Sequence, residues 1–322
     1  MNKFDVIIIG AGPIGLSCGI EAKKRNKSHL IIEKGCLVNS LFHFPTNMTF
    51  FSTSERLEIG ETPFVSHGDK PTRSESLEYY RRSVEAWKLN IHTYEELFNI
   101  VIIDDAFIVK TSKAEYKAKI IIVATGFYDK PNLLNIPGED KPKVKHYFDE
   151  AHPYAYLKLL IVGAGNSAVD VALEAYRRGS EVTMVIRKDK LKDGVKYWVK
   201  PDIENRINEG SIKAYFNSEL TEIRDDEVDI KTPDSTITVK NDFVFAMTGY
   251  HPNYNFLKRI GIIISDDEKL IPFYNEETYE TNIKGIYLAG GVCGGMTTGK
   301  WFIENSRNHT VQIFNQLEAA GK

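Results

Sequence analysis

The chain has 322 residues, and because a single hydrophobic core stops growing efficiently near that size, two domains are the expectation. Charged residues make up 26% and apolar residues 42%, and a formal charge of -3 is too small and too evenly spread to point to a nucleic acid or a membrane surface, so the expected partner is a small molecule. No apolar run approaches the roughly 18 residues that span a bilayer, the first apolar run leads into a glycine loop rather than a cleavage site, and Cys18, Cys36 and Cys293 form neither a C-x-x-C pair nor an even disulfide set; this reads as a soluble cytoplasmic protein.

In chain order, Phe4 to Ile9 is a nearly continuous apolar run, the pattern of a strand buried on both faces of a parallel sheet. It ends in GAGPIG. Gly10, Gly12 and Gly15 fit G-x-G-x-x-G, in which one glycine makes the tight turn, one lets backbone approach a pyrophosphate and one lets helix and strand pack closely. Pro13 sits in the same loop, ahead of a helix whose N-terminus faces the phosphates. The next strand, HLIIEK, ends in Glu33, eighteen residues after Gly15, where a carboxylate accepts hydrogen bonds from ribose hydroxyls. That acid repels a 2'-phosphate, so the first site suits FAD or NAD rather than NADP; Lys34 and Asn39 follow it as further binding candidates.

The stretch NSLFHFPTNMTFFSTSERL from Asn39 is aromatic and hydroxyl-rich, suited to covering a flat ring system and equally to an ordinary packed loop. Thr72 and Glu75 form a capping-box pattern ahead of an amphipathic helix. Short alternating runs from Ile100 to Lys117 predict an antiparallel meander. KIIIVATGFYDKP then carries Thr125 and Gly126 at the end of a buried strand, where backbone passes close to a nucleotide.

The strand, glycine loop and helix recur at LKLLIVGAGNSAVDVALEAYRR. Gly163 and Gly165 take the first two glycine positions and Ala168 the third, with Asn166 and Ser167 between them. At the end of the following strand Arg187 and Lys188 replace the acid; they can hold a 2'-phosphate by charge-assisted bonds, which makes NADPH the second cofactor, or stand as solvated charges. NDFVFAMTGYHPN brings Thr248 and Gly249 to a second strand end, and IKGIYLAGGVCGG brings Gly290 and Gly291 to a third. Backbone amides around Trp301 and Ile303, at the start of a last helix, are placed to stabilise charge on a reduced flavin.

The order of glycine loop, acid, ATG, second glycine loop, basic strand end, TG and terminal AGG resembles the two-dinucleotide flavoproteins of the low-molecular-weight thioredoxin reductase type over nearly the whole chain. Closer still, LVNSLFHFPTNMTFFSTSERLEIGETPF, KPTRSESLEYYRR, KHYFDEAHPY, GAGNSAVDVALE and FIENSRNH resemble the YpdA-type bacillithiol-disulfide reductases. The resemblance implies FAD, NADPH and a thiol or disulfide substrate, reduced with the help of a cysteine in the first glycine loop. The position of that cysteine holds Ile14, the thioredoxin-reductase dithiol is absent between Pro131 and Leu157, and Gly291 stands where thioredoxin reductases carry a ribityl-binding aspartate.

The reading is therefore an α/β protein of two Rossmann-like domains, with FAD bound by residues 1–128 and 245–322 and NADPH by an inserted domain, 129–244. It passes electrons from NADPH through flavin to a low-molecular-weight disulfide such as bacillithiol disulfide. With Ile14 in the loop, a ferredoxin- or flavodoxin-NADP reductase-like enzyme, with a protein electron acceptor, and a flavoprotein redox sensor are the alternatives. A flavin monooxygenase fits less well, since KHYFDEAHPY lacks the F-x-G-x-x-x-H fingerprint. Cys293 and Cys18 are the candidate thiols, Cys293 because a helix start downstream would lower its pKa, and both also fit buried structural roles. His43, His146 and His152 read as structural, no metal is expected, and the family's habit makes a homo-oligomer the expectation.

Overall fold

The computed structural model describes residues 1–104 and 106–321. The chain forms two compact units, one made of Met1–Phe44, Met48–Lys130 and the chain from Tyr250 onward, the other of Pro45–Asn47 and Pro131–Gly249.

Among the described residues of the first unit, seven strands form one sheet. Its parallel part runs Ile91–His92, His29–Ile32, Asn2–Ile9, Glu115–Val123, with Ile286–Leu288 also pairing with Glu115–Val123. The antiparallel part adds Ala106–Thr111 and the edge strand Leu97–Ile103, the meander that the alternating run predicts. Val6, Ile7, Ile8, Leu30, Ile31, Ile121, Ile122 and Leu288 are buried, and each such side chain contributes about 1.5–3 kcal/mol by leaving water. The register decides where the site falls. Ile9 lies opposite both Ile32 and Val123, and Val123 lies opposite Leu288, so the four chains leave the sheet at one carboxyl edge, carrying Gly10, Glu33, Thr125 and Gly290 with them.

The helix Pro13–Lys24 begins with proline at its first position, where the missing N–H costs nothing, and is capped by backbone alone at Gly12. It packs on the last helix, Ile303–Ala319, through a Ser17–Thr310 hydroxyl pair 3.0 Å apart. The helix Arg73–Trp87 carries the expected reciprocal capping box of Thr72 and Glu75.

The second unit repeats the arrangement with a parallel sheet in the order Lys213–Phe216, Glu181–Ile186, Lys158–Val162, Phe243–Ala246, Val144–Lys145. Val162 lies opposite Val185 and Ala246, so Gly163, Arg187 and Thr248 leave near one edge. The helix Asn166–Arg177 follows its glycine loop. An antiparallel meander of Glu219–Ile223, Glu227–Lys231 and Thr236–Lys240 is an addition that the motif reading passed over. Among the described residues no helix is long and apolar enough to cross a membrane.

Candidate functional site

At the first carboxyl edge Gly10 has φ +105°, open to glycine and strained for other residues. Space above the loop is open: a Cβ built on Gly12 or on Gly126 meets nothing within 4 Å. Glu33 is buried, and its two oxygens accept the Ala11 N–H at 2.8 Å and the Gly35 N–H at 2.9 Å. A carboxylate has about four acceptor positions, so two are left for ribose hydroxyls. Burial pushes the Glu33 pKa above the ordinary carboxylate value, opposed by these two backbone bonds. The Thr125 hydroxyl is buried and without a hydrogen-bond partner among the described residues, a deficit that a bound polar group would remove. Open glycine backbone, spare carboxylate acceptors and an orphan hydroxyl at one edge fit a dinucleotide.

The other predicted residues of this unit divide between edge and support. Pro13 opens the helix. The Lys34 ammonium is taken by Asp129 at 2.5 Å. Asn39 begins a short helix, Asn39–Phe42, and its amide oxygen accepts from the Cys36 N–H at 3.3 Å. Within the aromatic stretch Phe44 packs edge-on against Tyr128, while Phe42 and Phe51 are exposed. Ile14 is buried against Gly290, where an added Cβ would come within 3.1 Å of it. The Gly291 departure has a steric cause, since a Cβ there would stand 2.8 Å from the Phe127 ring; Phe127 fills the place of a residue 291 side chain.

The three cysteines are free, and none is held as a ready thiolate. Cys18 is fully buried, and burial pushes its thiol up. Cys293 differs from the expectation of a helix-lowered pKa: it is buried in the short turn Gly290–Gly294, the helix begins only at Ile303, and burial pushes the thiol up. A helix end acts only over its first turn. Cys36 is half-buried and its thiol is also raised by burial.

One unforeseen side chain organises that turn. His309 is 1% exposed, accepts the Gly290 N–H on Nδ1 at 3.2 Å, lies 4.0 Å from the Cys293 sulfur, stacks on Tyr279 and meets Trp301 edge-on. Burial lowers its pKa to about 4, so it is a neutral imidazole with the proton on Nε2. Trp301 and Ile303 lie half-buried at the start of the last helix. The one signal in the sequence for His309 is a histidine at a core-facing helix position.

At the second edge Gly163 has φ +138° and the Gly165 backbone faces only the Lys192 stem, 3.6 Å from a built Cβ. Ser167, Arg187 and Lys188 are exposed. Asn166 turns the other way: its amide donates to the Gly194 carbonyl and accepts the Lys196 N–H at 2.8 Å, so it clamps the 192–196 segment beside the loop. The Thr248 hydroxyl donates to the Asn132 carbonyl, and Gly249 has φ +93° with Asn132 beside it. Lys192, which donates its N–H to the Ala164 carbonyl, is a residue the motif did not predict.

The Glu33 environment yields a pH test. A protonated carboxyl loses acceptor capacity, and its folded pKa is raised, so nucleotide retention should fall as pH drops through a value above 4.5, the ordinary one. Nucleotide release on dilution at stepped pH, with circular dichroism to show that the fold persists, should give an acid limb that Glu33→Gln removes; an unchanged limb in that variant refutes the assignment.

Comparison with known proteins places these features in a family. The family model for pyridine nucleotide-disulphide oxidoreductases matches residues 7–290. The bacilliredoxin reductase Bdr of Bacillus subtilis (strain 168) is 43% identical over 319 residues, 98% of either chain. The structure of the bacillithiol disulfide reductase Bdr (YpdA) from Staphylococcus aureus superposes with a TM-score of 0.97 at 41% identity, covering 100% of both chains. A ferredoxin–NADP reductase of Ignicoccus hospitalis (strain KIN4/I) is 26% identical over 299 residues, 89% of this chain and 90% of that one.

Proposed function

We start from the chain's membership of the pyridine nucleotide-disulphide oxidoreductase family, and propose that this flavin and nicotinamide-nucleotide oxidoreductase uses FAD in its first unit, NADPH in its second, and a low-molecular-weight disulfide of the bacillithiol type as acceptor. The observation that supports the reading is identity above 40% over essentially the full length of two relatives, one of them named as a bacillithiol disulfide reductase and the other as a bacilliredoxin reductase. Gly10, Gly12, Gly15 and Thr125 cradle the FAD, with Glu33 on its ribose; Gly163, Gly165 and Ser167 face the NADPH phosphates, and Arg187 and Lys188 its 2'-phosphate. Held by these residues, the two nucleotides would supply the hydride and electron transfer. The chain itself supplies orientation, backbone donors at both loops, and an apolar wall at Ile14.

Ile14 also supports a second reading, in which the acceptor is a protein electron carrier, because an isoleucine cannot attack a disulfide and both Cys18 and Cys293 are buried. NADPH oxidation by the holoprotein under anaerobic conditions, with bacillithiol disulfide, ferredoxin and flavodoxin added separately, decides between them. Fast turnover with the disulfide alone upholds the first reading; turnover with a carrier alone replaces it.

A gain-of-function variant tests the same point. Position 14 is the second residue of the helix Pro13–Lys24, where a thiol is shifted toward thiolate by the helix end. Ile14→Cys should therefore raise disulfide turnover at least about tenfold if the acceptor pocket is kept, a gain of ~1.4 kcal/mol at the barrier, and should make it sensitive to alkylation. No gain, with the introduced thiol freely alkylated, argues for the carrier.

A further inference from the structure

The segment Glu33–Gly35 is gripped by the turn that follows the strand Ile91–His92. Glu33 N–H donates to the His92 carbonyl at 2.9 Å, Glu95 N–H donates to the Glu33 carbonyl at 2.8 Å, and Tyr94 N–H donates to the Gly35 carbonyl at 2.9 Å. Both backbone groups of Glu33 are thus taken by this one turn. Tyr94 holds φ +52°, a conformation that costs a non-glycine residue about 1 kcal/mol or more and persists only where the surroundings enforce it.

What enforces it is a buried carboxylate. Glu95 is 1% exposed; one oxygen accepts the Thr111 hydroxyl at 2.5 Å and the other lies 3.0 Å from His92 Nδ1, itself 3.1 Å from the Tyr116 hydroxyl. Thr111 and Tyr116 stand on the neighbouring strands Ala106–Thr111 and Glu115–Val123. Burial alone raises the Glu95 pKa, and the bonds from Thr111, Tyr116 and His92 outweigh it, so the group stays ionised; burial and the contact with Glu95 push the Tyr116 phenol up to about 12. An interior charge of this kind is costly unless every acceptor is used, and here it ties the turn to the body of the sheet.

We propose that Glu95 is a positioning residue for the flavin nucleotide: it pins the His92–Glu95 turn, and that turn aims Glu33 at the ribose of FAD. The proposal rests on the reading of Glu33 as the ribose acceptor. It predicts energetic coupling between two residues that share no side-chain contact in the structure's hydrogen-bond network, and a support acting on the fold in general would give additive losses instead.

The test is a cycle of purified holoproteins, unaltered, Glu33→Ala, Glu95→Ala and the double variant, each diluted in steps while free FAD fluorescence reports the dissociation constant. Glu33→Ala should weaken binding about tenfold or more. Glu95→Ala should weaken it about five- to thirtyfold, and the double variant should lie within about twofold of Glu33→Ala alone. Where Glu95→Ala does not fold, Glu95→Gln, which keeps an acceptor for Thr111, carries the same cycle with a smaller loss in the same pattern. If Glu33→Ala loses FAD while Glu95 variants bind as the unaltered protein does, or if the losses add in the double variant, the proposal is overturned and the Glu33 assignment stands. Unchanged binding in Glu33→Ala overturns both.

Discussion

Gly15→Ala is expected to leave a protein that is colourless or insoluble. A Cβ at this position would stand 1.9 Å from the Gly10 carbonyl oxygen, which is backbone and cannot rotate away. The opening helix must then pull off the first strand, and with it goes the alignment of the loop with Glu33. Overpacking of this severity exceeds the usual 1–3 kcal/mol, and a loss of about 3 kcal/mol or more in the first unit is expected. Flavin absorbance per mole of protein and a thermal melt check it together. A yellow protein that melts as the unaltered one does would show that the loop is far softer than its contacts imply. Gly12→Ala is the control, since a methyl there meets no protein atom and acts only on the nucleotide.

The second large effect concerns the nicotinamide nucleotide. Arg187 and Lys188 are exposed at the end of the strand Glu181–Ile186 and belong to no ion pair among the described residues, whereas nearby Lys190 is paired with Asp193. Two unpaired cations at the strand end that carries an acid in the first unit are free to meet a 2'-phosphate. Hydrogen bonds to charged groups contribute about 1.5–3 kcal/mol, reduced by solvent for exposed groups. Arg187→Ala should cut the preference for NADPH over NADH several-fold to a hundredfold, and adding Lys188→Ala should remove most of what is left. The ratio of kcat/KM for the two nucleotides is the measurement, and equal use of both by the unaltered protein would sink the assignment. Raised salt should erode NADPH affinity in the unaltered protein and barely affect the double variant.

The parts of this molecule that repeat a short-range rule could be read directly. The strand, glycine loop and helix at Phe4–Lys24, with G-x-G-x-x-G, and again at Lys158–Arg177, with Ala168 in the third glycine position, follow from local constraints, as do the Thr72–Glu75 capping box and the meander around Ala106–Val123. The meander at Glu219–Lys240 has its own signal, the alternation of Val228 with Ile230 and of Ile237 with Val239, but no motif flanks it to draw attention to that pattern. Other features have no local signature. Glu95 reads as one charge among many until the fold brings Thr111 and His92 to it; His309 is ordinary until the Gly290 N–H arrives. Of the two readings of Cys293, the lowered pKa does not allow for burial, which a motif does not register and which outweighs a helix end ten residues away, and the buried structural role fits.

The strand Ile286–Leu288 pairs with Glu115–Val123 although nearly the whole second unit is encoded between them. During vectorial synthesis on the ribosome the second unit's sheet is therefore fully made while the first still lacks a strand, the Gly290 turn and its closing helix. Loop-closure entropy grows only slowly with length, and a folded insert shortens the effective loop further. The first unit's nucleotide site is thus a late product of translation: a nascent chain has its second glycine loop available before the crevice around Glu33 can close.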